Sequence, residues 1–173
     1  MGNIPNTSIC MRLAEPRDEL TITTILHDAF IEYKKLYTVK AFYSTILGIT
    51  KIRERIESRT MWVVLCDGVI AGTISLIPDR KGLYIRSVAV APTARRRGLG
   101  KTLMKHAEQE ATGKSLEYLE LTTTTFLFEA IKLYQSFGFE ECGYEDLYGT
   151  PLIKMKKYLM PAIVSLNAAS CEN

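Results

Sequence analysis

The sequence predicts a mixed α/β fold: a mostly antiparallel central sheet of about seven strands, with a central parallel βαβ unit and about four helices. Three observations carry this expectation. Asp67-Gly68 joins two apolar runs, the pattern of a tight antiparallel hairpin. The passage from "GLYIRSVAVA" through the helical segment Gly98–Ala111 to "LEYLELTT" is a strand, a crossover helix and a strand, so those two strands should be parallel with a right-handed connection. Helix-type periodicity is confined to the early chain and to two later segments, and short strands fill the remainder.

In chain order, "SICMRLA" reads as a strand ended by Glu15-Pro16. Ile22, Ile25, Leu26, Ala29, Phe30 and Tyr33 then recur on one face of a helix. A second helical region runs through "VKAFYSTILGITKIRERIES", interrupted at Gly48, with Thr50 as the expected N-cap of the restart. Between them lies an aromatic elbow of Tyr33, Tyr37, Phe42 and Tyr43. "MWVVLC" and "VIAGTISLI" are the hairpin strands, and "GLYIRSVAVA" is a strand closed by Pro92. Leu99, Leu103, Met104, Ala107 and Ala111 form the apolar side of the crossover helix. "FLFEAIKLYQSF" is a helix stopped by Gly138, and "GFEECGYE" with "PLIKMKKYL" closes the chain as an antiparallel pair.

Composition narrows the function classes. The 173 residues are 47% apolar and 24% charged, which fits one domain over 1–160 with a loose tail at 161–173. Twenty-two Lys and Arg against 19 Asp and Glu leave +3, too small an excess to argue for nucleic acid. Cys10, Cys66, Cys142 and Cys171 lie far apart without metal-type spacing and read as free thiols of a reducing compartment, so no metal is expected. No apolar run is long enough to span a bilayer. The opening "MGNIPN" has Asn6 where a myristoylation signal needs Ser or Thr. A cytoplasmic location without membrane contact is expected.

The chemistry concentrates in "PTARRRGLGKT", Pro92 to Thr102. A nucleotide P-loop fails, because its opening glycine falls on Arg95. A dinucleotide fingerprint fails too, because its third glycine falls on Leu103. What survives is a strand–loop–helix passage whose helix N-terminus presents unpaired N–H groups, with Gly98 and Gly100 allowing close approach and Arg95, Arg96 and Arg97 adding charge. That suits a phosphate or pyrophosphate. A solvated polar turn and a nucleic-acid patch are the alternatives the loop alone leaves open.

"SVAVAPTARRRGLGKTLMKHAEQEA" closely resembles the acetyl-CoA-binding motif of the GNAT superfamily of N-acyltransferases, whose Arg/Gln-x-x-Gly-x-Gly/Ala hexad is matched by Arg95 to Gly100. The family's second signature, Ala-x-x-Leu-Tyr-x-x-x-Gly-Phe, is matched at Ala130, Leu133, Tyr134, Gly138 and Phe139. The similarity extends from about Met11 to Leu159.

This resemblance implies a GNAT fold and a transfer of acetyl from acetyl-CoA, a cosubstrate, to a primary amine of a small molecule or peptide in a ternary complex. It implies a cofactor site over Val88, Ala89, Val90, Arg95, Arg96, Arg97, Gly98, Leu99, Gly100 and Lys101. Tyr134 is implied as the general acid toward the departing thiolate, and Tyr33, Tyr37 and Tyr84 as part of the acceptor pocket. No nucleic-acid or membrane partner is implied, and the assembly is a monomer or homodimer.

Two departures stand out. Tyr84 holds the position where many relatives carry a catalytic glutamate, and Leu127 the position of an asparagine that contacts the cofactor arm. A primary amine is uncharged in only about one of a few thousand molecules at pH 7, so a base is needed. Glu32, His27 and Glu120 are the other candidates, and His106 reads as a packing residue. Glu141, Glu145, Asp146, Tyr144 and Tyr148 are expected opposite the aromatic elbow, as an acidic and aromatic wall for a cationic amine. Tyr84 also keeps a non-catalytic acyl-CoA sensor open as the second function.

Overall fold

A computed structural model describes residues 7–159; the expected tail 161–173, the "MGNIPN" opening and Cys171 lie outside the described residues. The chain runs β1 (Ile9–Leu13), α1 (Glu19–Phe30), α2 (Val39–Thr45), α3 (Ile49–Glu57), β2 (Met61–Cys66), β3 (Val69–Asp79) and β4 (Gly82–Val90). It continues with α4 (Leu99–Gly113), β5 (Tyr118–Thr124), α5 (Phe128–Ser136), β6 (Glu140–Leu147) and β7 (Thr150–Tyr158). The strands form one seven-stranded sheet in the order β1-β2-β3-β4-β5-β7-β6. Only β4 and β5 pair in parallel, with α4 as their crossover, and the neighbouring pairs are antiparallel. That is the architecture expected from the sequence.

Local chemistry accounts for the turns. Asp67 and Gly68 both take positive φ, 52° and 80°, as a two-residue hairpin requires. The second helical region is two helices rather than one interrupted helix. Gly48, not Thr50, is the N-cap of α3, because the Gly48 carbonyl accepts from the N–H groups of Lys51 and Ile52. Thr50 therefore lies inside the first turn. The helix expected to reach Tyr33 ends its α portion at Phe30 and tightens into a 3-10 stretch, Ile31–Leu36. Thr38 caps α2 by accepting from Ala41 N–H, and its hydroxyl donates to the Tyr148 carbonyl at 2.8 Å. The elbow is thereby fastened to the β6–β7 hairpin, which sets the far wall of the site described below.

Alternation along the strands sends side chains into two layers. Ile74, Leu76, Leu83, Ile85, Leu119 and Leu121 face α4 and α5, where Leu99, Leu103, Met104, Ala107 and Ala111 are buried as the helix periodicity requires. Met61, Val63 and Ala89 face α1 and α3, against Ile22, Leu26, Ile52 and Ile56. Each fully buried Leu or Ile stabilises the fold by about 1.5–3 kcal/mol relative to exposure. Cys10, Cys66 and Cys142 are free thiols. No helix among the described residues is long and apolar enough to cross a membrane.

Asp18 closes the joint between β1 and α1. It accepts from Arg12 Nη1 at 2.6 Å and Nη2 at 3.1 Å, and from the Glu15 N–H at 2.8 Å. Burial works to raise its pKa, but the Arg12 bonds, the Glu15 N–H and the neighbouring charges outweigh it and hold the carboxyl below its ordinary value. A depressed carboxyl stabilises the fold above its unfolded pKa, and that contribution is lost as pH falls through the folded value. Asp18→Asn should therefore lose about 2 kcal/mol at pH 7. The gap between the denaturant midpoints of the two proteins should begin to narrow once the pH drops below about 4 and close as the pH falls through the lower folded value. A gap that stayed constant down to pH 2 would show that the carboxylate charge is not what matters.

Candidate active site

The centre of the sheet is open on one side. β4 and β5 pair only from Gly82–Tyr118 to Ile85–Leu121, and beyond that point the parallel strands part. β5 stays with β7 as far as Thr124–Leu152, and β4 stays with β3 as far as Val90–Gly72. The separation coincides with an irregularity in β4, where Ser87 takes φ 54° and the register against β3 slips between Thr73 and Ser75. Such a bulge bends and twists its strand. Ala91 N–H turns to the Ala71 carbonyl of β3 at 2.8 Å, so by alternation the peptide groups of Val88 and Val90 turn the other way, into the gap.

Downstream of that gap is the mouth of α4. Arg96 and Gly98 take φ of 64° and 79°, with an ordinary residue between them, and α4 begins at Leu99. Among the described residues, no acceptor reaches the backbone N–H groups from Arg96 to Lys101. Successive free N–H groups in such a curve form an anion-binding concavity, and the helix dipole adds to it. The three arginines are not equivalent. Arg95 is turned back onto α1, pairing with Glu32 at 2.6 Å and donating to the Ala29 carbonyl, and Arg97 Nη1 meets Cys66 Sγ at 3.2 Å. Arg96 alone keeps its side chain without a partner among the described residues. Leu99 is buried in the core, so only its N–H serves the mouth.

A cavity of about 200 Å³ occupies the splay and reaches the elbow. Its walls include Phe30 and Tyr37 from the elbow, Tyr84 to Val88 from β4, Leu121 to Thr124 from β5, and Tyr134 from α5. Tyr134 is buried, packs against Phe139 and has burial pushing its phenol pKa far up, so the group is protonated at neutral pH. Tyr37 is likewise raised by burial. The Tyr84 hydroxyl is 2.6 Å from Thr122 Oγ1, which bridges the two strands just where they part. Tyr33 does not line the cavity; it stacks on Phe126, with centroids 6.4 Å apart, one layer behind Tyr37.

The model of the acetyltransferase (GNAT) family matches residues 21–139, more than half of the chain. The chain belongs to the GNAT acetyltransferase family. Within it, the chain is 28% identical over 142 residues to N-acetyltransferase family 8 member 3 of Rattus norvegicus, covering 75% of this chain and 62% of the relative. It is 35% identical over 95 residues to streptothricin acetyltransferase of Streptomyces lavendulae, covering 54% and 50%. It thus spans between half and about three fifths of the length of these curated relatives. The fold is similar to that of the ribosomal-protein-S18-alanine N-acetyltransferase from Escherichia coli, with TM-score 0.74, 19% identity and coverage of 92% and 99%. It is equally similar to that of a PaiA N-acetyltransferase from Thermoplasma acidophilum, solved with coenzyme A, at TM-score 0.74, 20% identity and coverage of 88% and 99%.

This GNAT chain keeps most of its carboxylates away from the cavity. Glu32 is engaged by Arg95, and exposed His27 pairs with Asp28. Glu120 lies in a separate groove between Lys154 and Lys156; burial alone would raise its pKa, but the two lysines hold it below the usual range. His106 is covered by Trp62, and burial lowers its pKa. Of the expected acidic wall only Glu145 lines the cavity, 3.7 Å from Lys154. Glu141 meets Tyr144, Asp146 caps Gly149 N–H, and Tyr148 lies under Lys40. Leu127, the N-cap of α5, lines the cavity with an apolar side chain.

Sequence reasoning weighs Arg86 only as a base, for which it is unsuited, and passes over Arg55 and the threonine run at the end of β5. The run "LTTTT" at the carboxyl end of a parallel strand was a usable signal, since open α/β sheets bind ligands there. Arg55 gave none, because it looks like any charged residue on an amphipathic helix.

Proposed function

We propose that this chain transfers the acetyl group of acetyl-CoA to a primary amine of a small molecule or peptide, by direct attack in a ternary complex. One observation carries the reading: the parting of β4 and β5 opens a backbone gap at Val88–Val90, between the free N–H groups at the α4 mouth and the cavity that Val88 and the protonated phenol of Tyr134 line. The N–H groups of Arg96 to Lys101 hold the diphosphate, with Arg96 adding charge. The pantetheine arm pairs with the gap-facing peptides of Val88 and Val90, whose N–H groups polarise the thioester carbonyl. Similarity to acetyltransferases, and the coenzyme A bound to a structural neighbour, support the same assignment.

In the chemical step the amine nitrogen attacks the acetyl carbon, the C–S bond breaks, the amine gives up one N–H proton, and the departing sulfur gains one from Tyr134, which solvent then restores. Tyr134 donates toward the sulfur as negative charge develops there. The proton that the amine loses passes through water to Glu145, a carboxylate lining the cavity, because the Tyr84 hydroxyl is engaged with Thr122. Exposed free thiols at Cys10 and Cys142 favour a reducing, cytoplasmic setting.

Mixing the protein with acetyl-CoA and panels of small amines, polyamines and peptides, while following free thiol, tests this reading. Amine-dependent thiol release is expected. The Tyr84–Thr122 bond, which removes the usual base position, favours a second reading as an acyl-CoA sensor. Calorimetric uptake of acetyl-CoA with no release across every panel would select the sensor, and no uptake would end both.

A further inference from the structure

Arg86 stands on the cavity wall with Arg55 behind it, and among the described residues neither forms an ion pair with a carboxylate. Arg86 lines the cavity half-buried, and no ion pair among the described residues includes it. Arg55 reaches the same place from α3 and is only 5% exposed. Its Nη1 donates to Ser75 Oγ at 3.0 Å and to Ser87 Oγ at 2.8 Å, the serine of the β4 bulge. Burial first, and the charge of Arg86 second, lower the Arg55 pKa to about 10, so it is still a cation at neutral pH. A cation this deep without an anion is unfavourable, and a second cation beside it is more so. An anion bound at Arg86 relieves both penalties.

No other group among the described residues supplies that anion. Glu145, the one carboxylate lining the cavity among the described residues, has Lys154 beside it. The diphosphate does not reach: Arg86 precedes Val90 by four residues, roughly 13 Å of extended strand, and the α4 mouth lies further on. Arg86 stands opposite Ser75, on the face where α1 and α3 pack, which is also the side of Tyr37 and Phe30.

We propose that Arg86, backed by Arg55, holds a carboxylate of the acceptor, so that the acceptor is a small amino acid carrying its amine and its carboxylate together. The inference rests on the acetyltransferase reading above and narrows its substrate class. The planar fork of a guanidinium matches a carboxylate through two parallel bonds. Phe30 and Tyr37 face the same space and give an apolar side chain a wall. About 200 Å³ is below the usual size of a drug-binding pocket and fits a molecule of this kind. A peptide amino terminus is a poorer match, because its neighbouring carbonyl is an uncharged amide. In the transfer the carboxylate is unchanged; the N–C bond forms, the C–S bond breaks, the amine proton leaves through water for Glu145 and the sulfur takes its proton from Tyr134.

The test compares kcat/KM for a set of free amino acids with that for their carboxamides, in wild type, Arg86→Gln and Arg86→Lys. Wild type is expected to favour the carboxylates at least about tenfold, the worth of one charge-assisted hydrogen bond. Arg86→Gln should bring the ratio close to one, and Arg86→Lys should keep part of the preference. A wild-type ratio at or below one, a ratio that survives Arg86→Gln, or acetylation of peptides alone overturns the proposal while leaving the enzyme reading intact. If no amine is acetylated although acetyl-CoA binds, the enzyme reading fails, and calorimetry of amino acids against the coenzyme A-loaded protein decides the subsite. Binding lost in Arg86→Gln supports it, and no binding to wild type overturns it.

Discussion

Tyr134→Phe should lower kcat about a hundredfold or more, while acetyl-CoA binds with a dissociation constant within about twofold of wild type. The change removes one oxygen and keeps the ring that packs on Phe139 in the main core. The phenol forms no hydrogen bond with the described residues, so little stability goes with it, within about 1 kcal/mol. Its pKa is raised by burial and, less strongly, by Tyr37, which keeps the proton in place across the neutral range and makes the group a donor rather than a base. Loss of that donor should appear in the chemical step alone. Single-turnover thiol release measures the step, calorimetry measures the binding, and unchanged turnover would leave Tyr134 as a packing residue only.

Phe139→Ala should act in the opposite way, on stability before chemistry. Phe139 is 2% exposed, follows the left-handed turn at Gly138 and fills the angle between α5 and the sheet. Truncation of a buried phenylalanine removes its transfer free energy and leaves a cavity, together about 3–5 kcal/mol. Urea titration should show the midpoint moving down by that amount with little change in slope. A loss under about 1 kcal/mol would mean that the core closes over the gap. The two variants together separate the functions of the Leu-Tyr-x-x-x-Gly-Phe signature: the tyrosine faces the cavity, and the phenylalanine holds the wall that carries it.

The boundaries of most elements were readable because local rules and global packing agree in them. The α4 residues from Leu99 to Ala111 are buried in the order their spacing requires, and Asp67-Gly68 makes the hairpin its φ preferences dictate. Gly48 was misjudged in favour of Thr50 for a local reason as well: a threonine side chain is the commoner cap, but here the chain has already turned at Leu47, φ 51°, and the glycine carbonyl takes the first helical bonds. The arginine run shows the other limit. Three equal letters in a row take three different environments, because Glu32, the Ala29 carbonyl and Cys66 come from elements distant in the chain.

Periodicity, turn chemistry and the two motifs were enough to specify the sheet, the crossover and the strand–loop–helix passage at the α4 mouth, since each depends on residues within a few positions of one another. The cavity's electrostatics were not accessible in that way. Whether Glu120, Glu145, Arg55 and Arg86 face the reacting atoms depends on where β4 and β5 part and on which helix covers the gap. Charges act through space, and their effect depends on burial and on partners brought from distant segments, so the folded arrangement alone put Arg86 on the cavity wall and Arg55 behind it, bonded to Ser87, where an acidic pocket was expected.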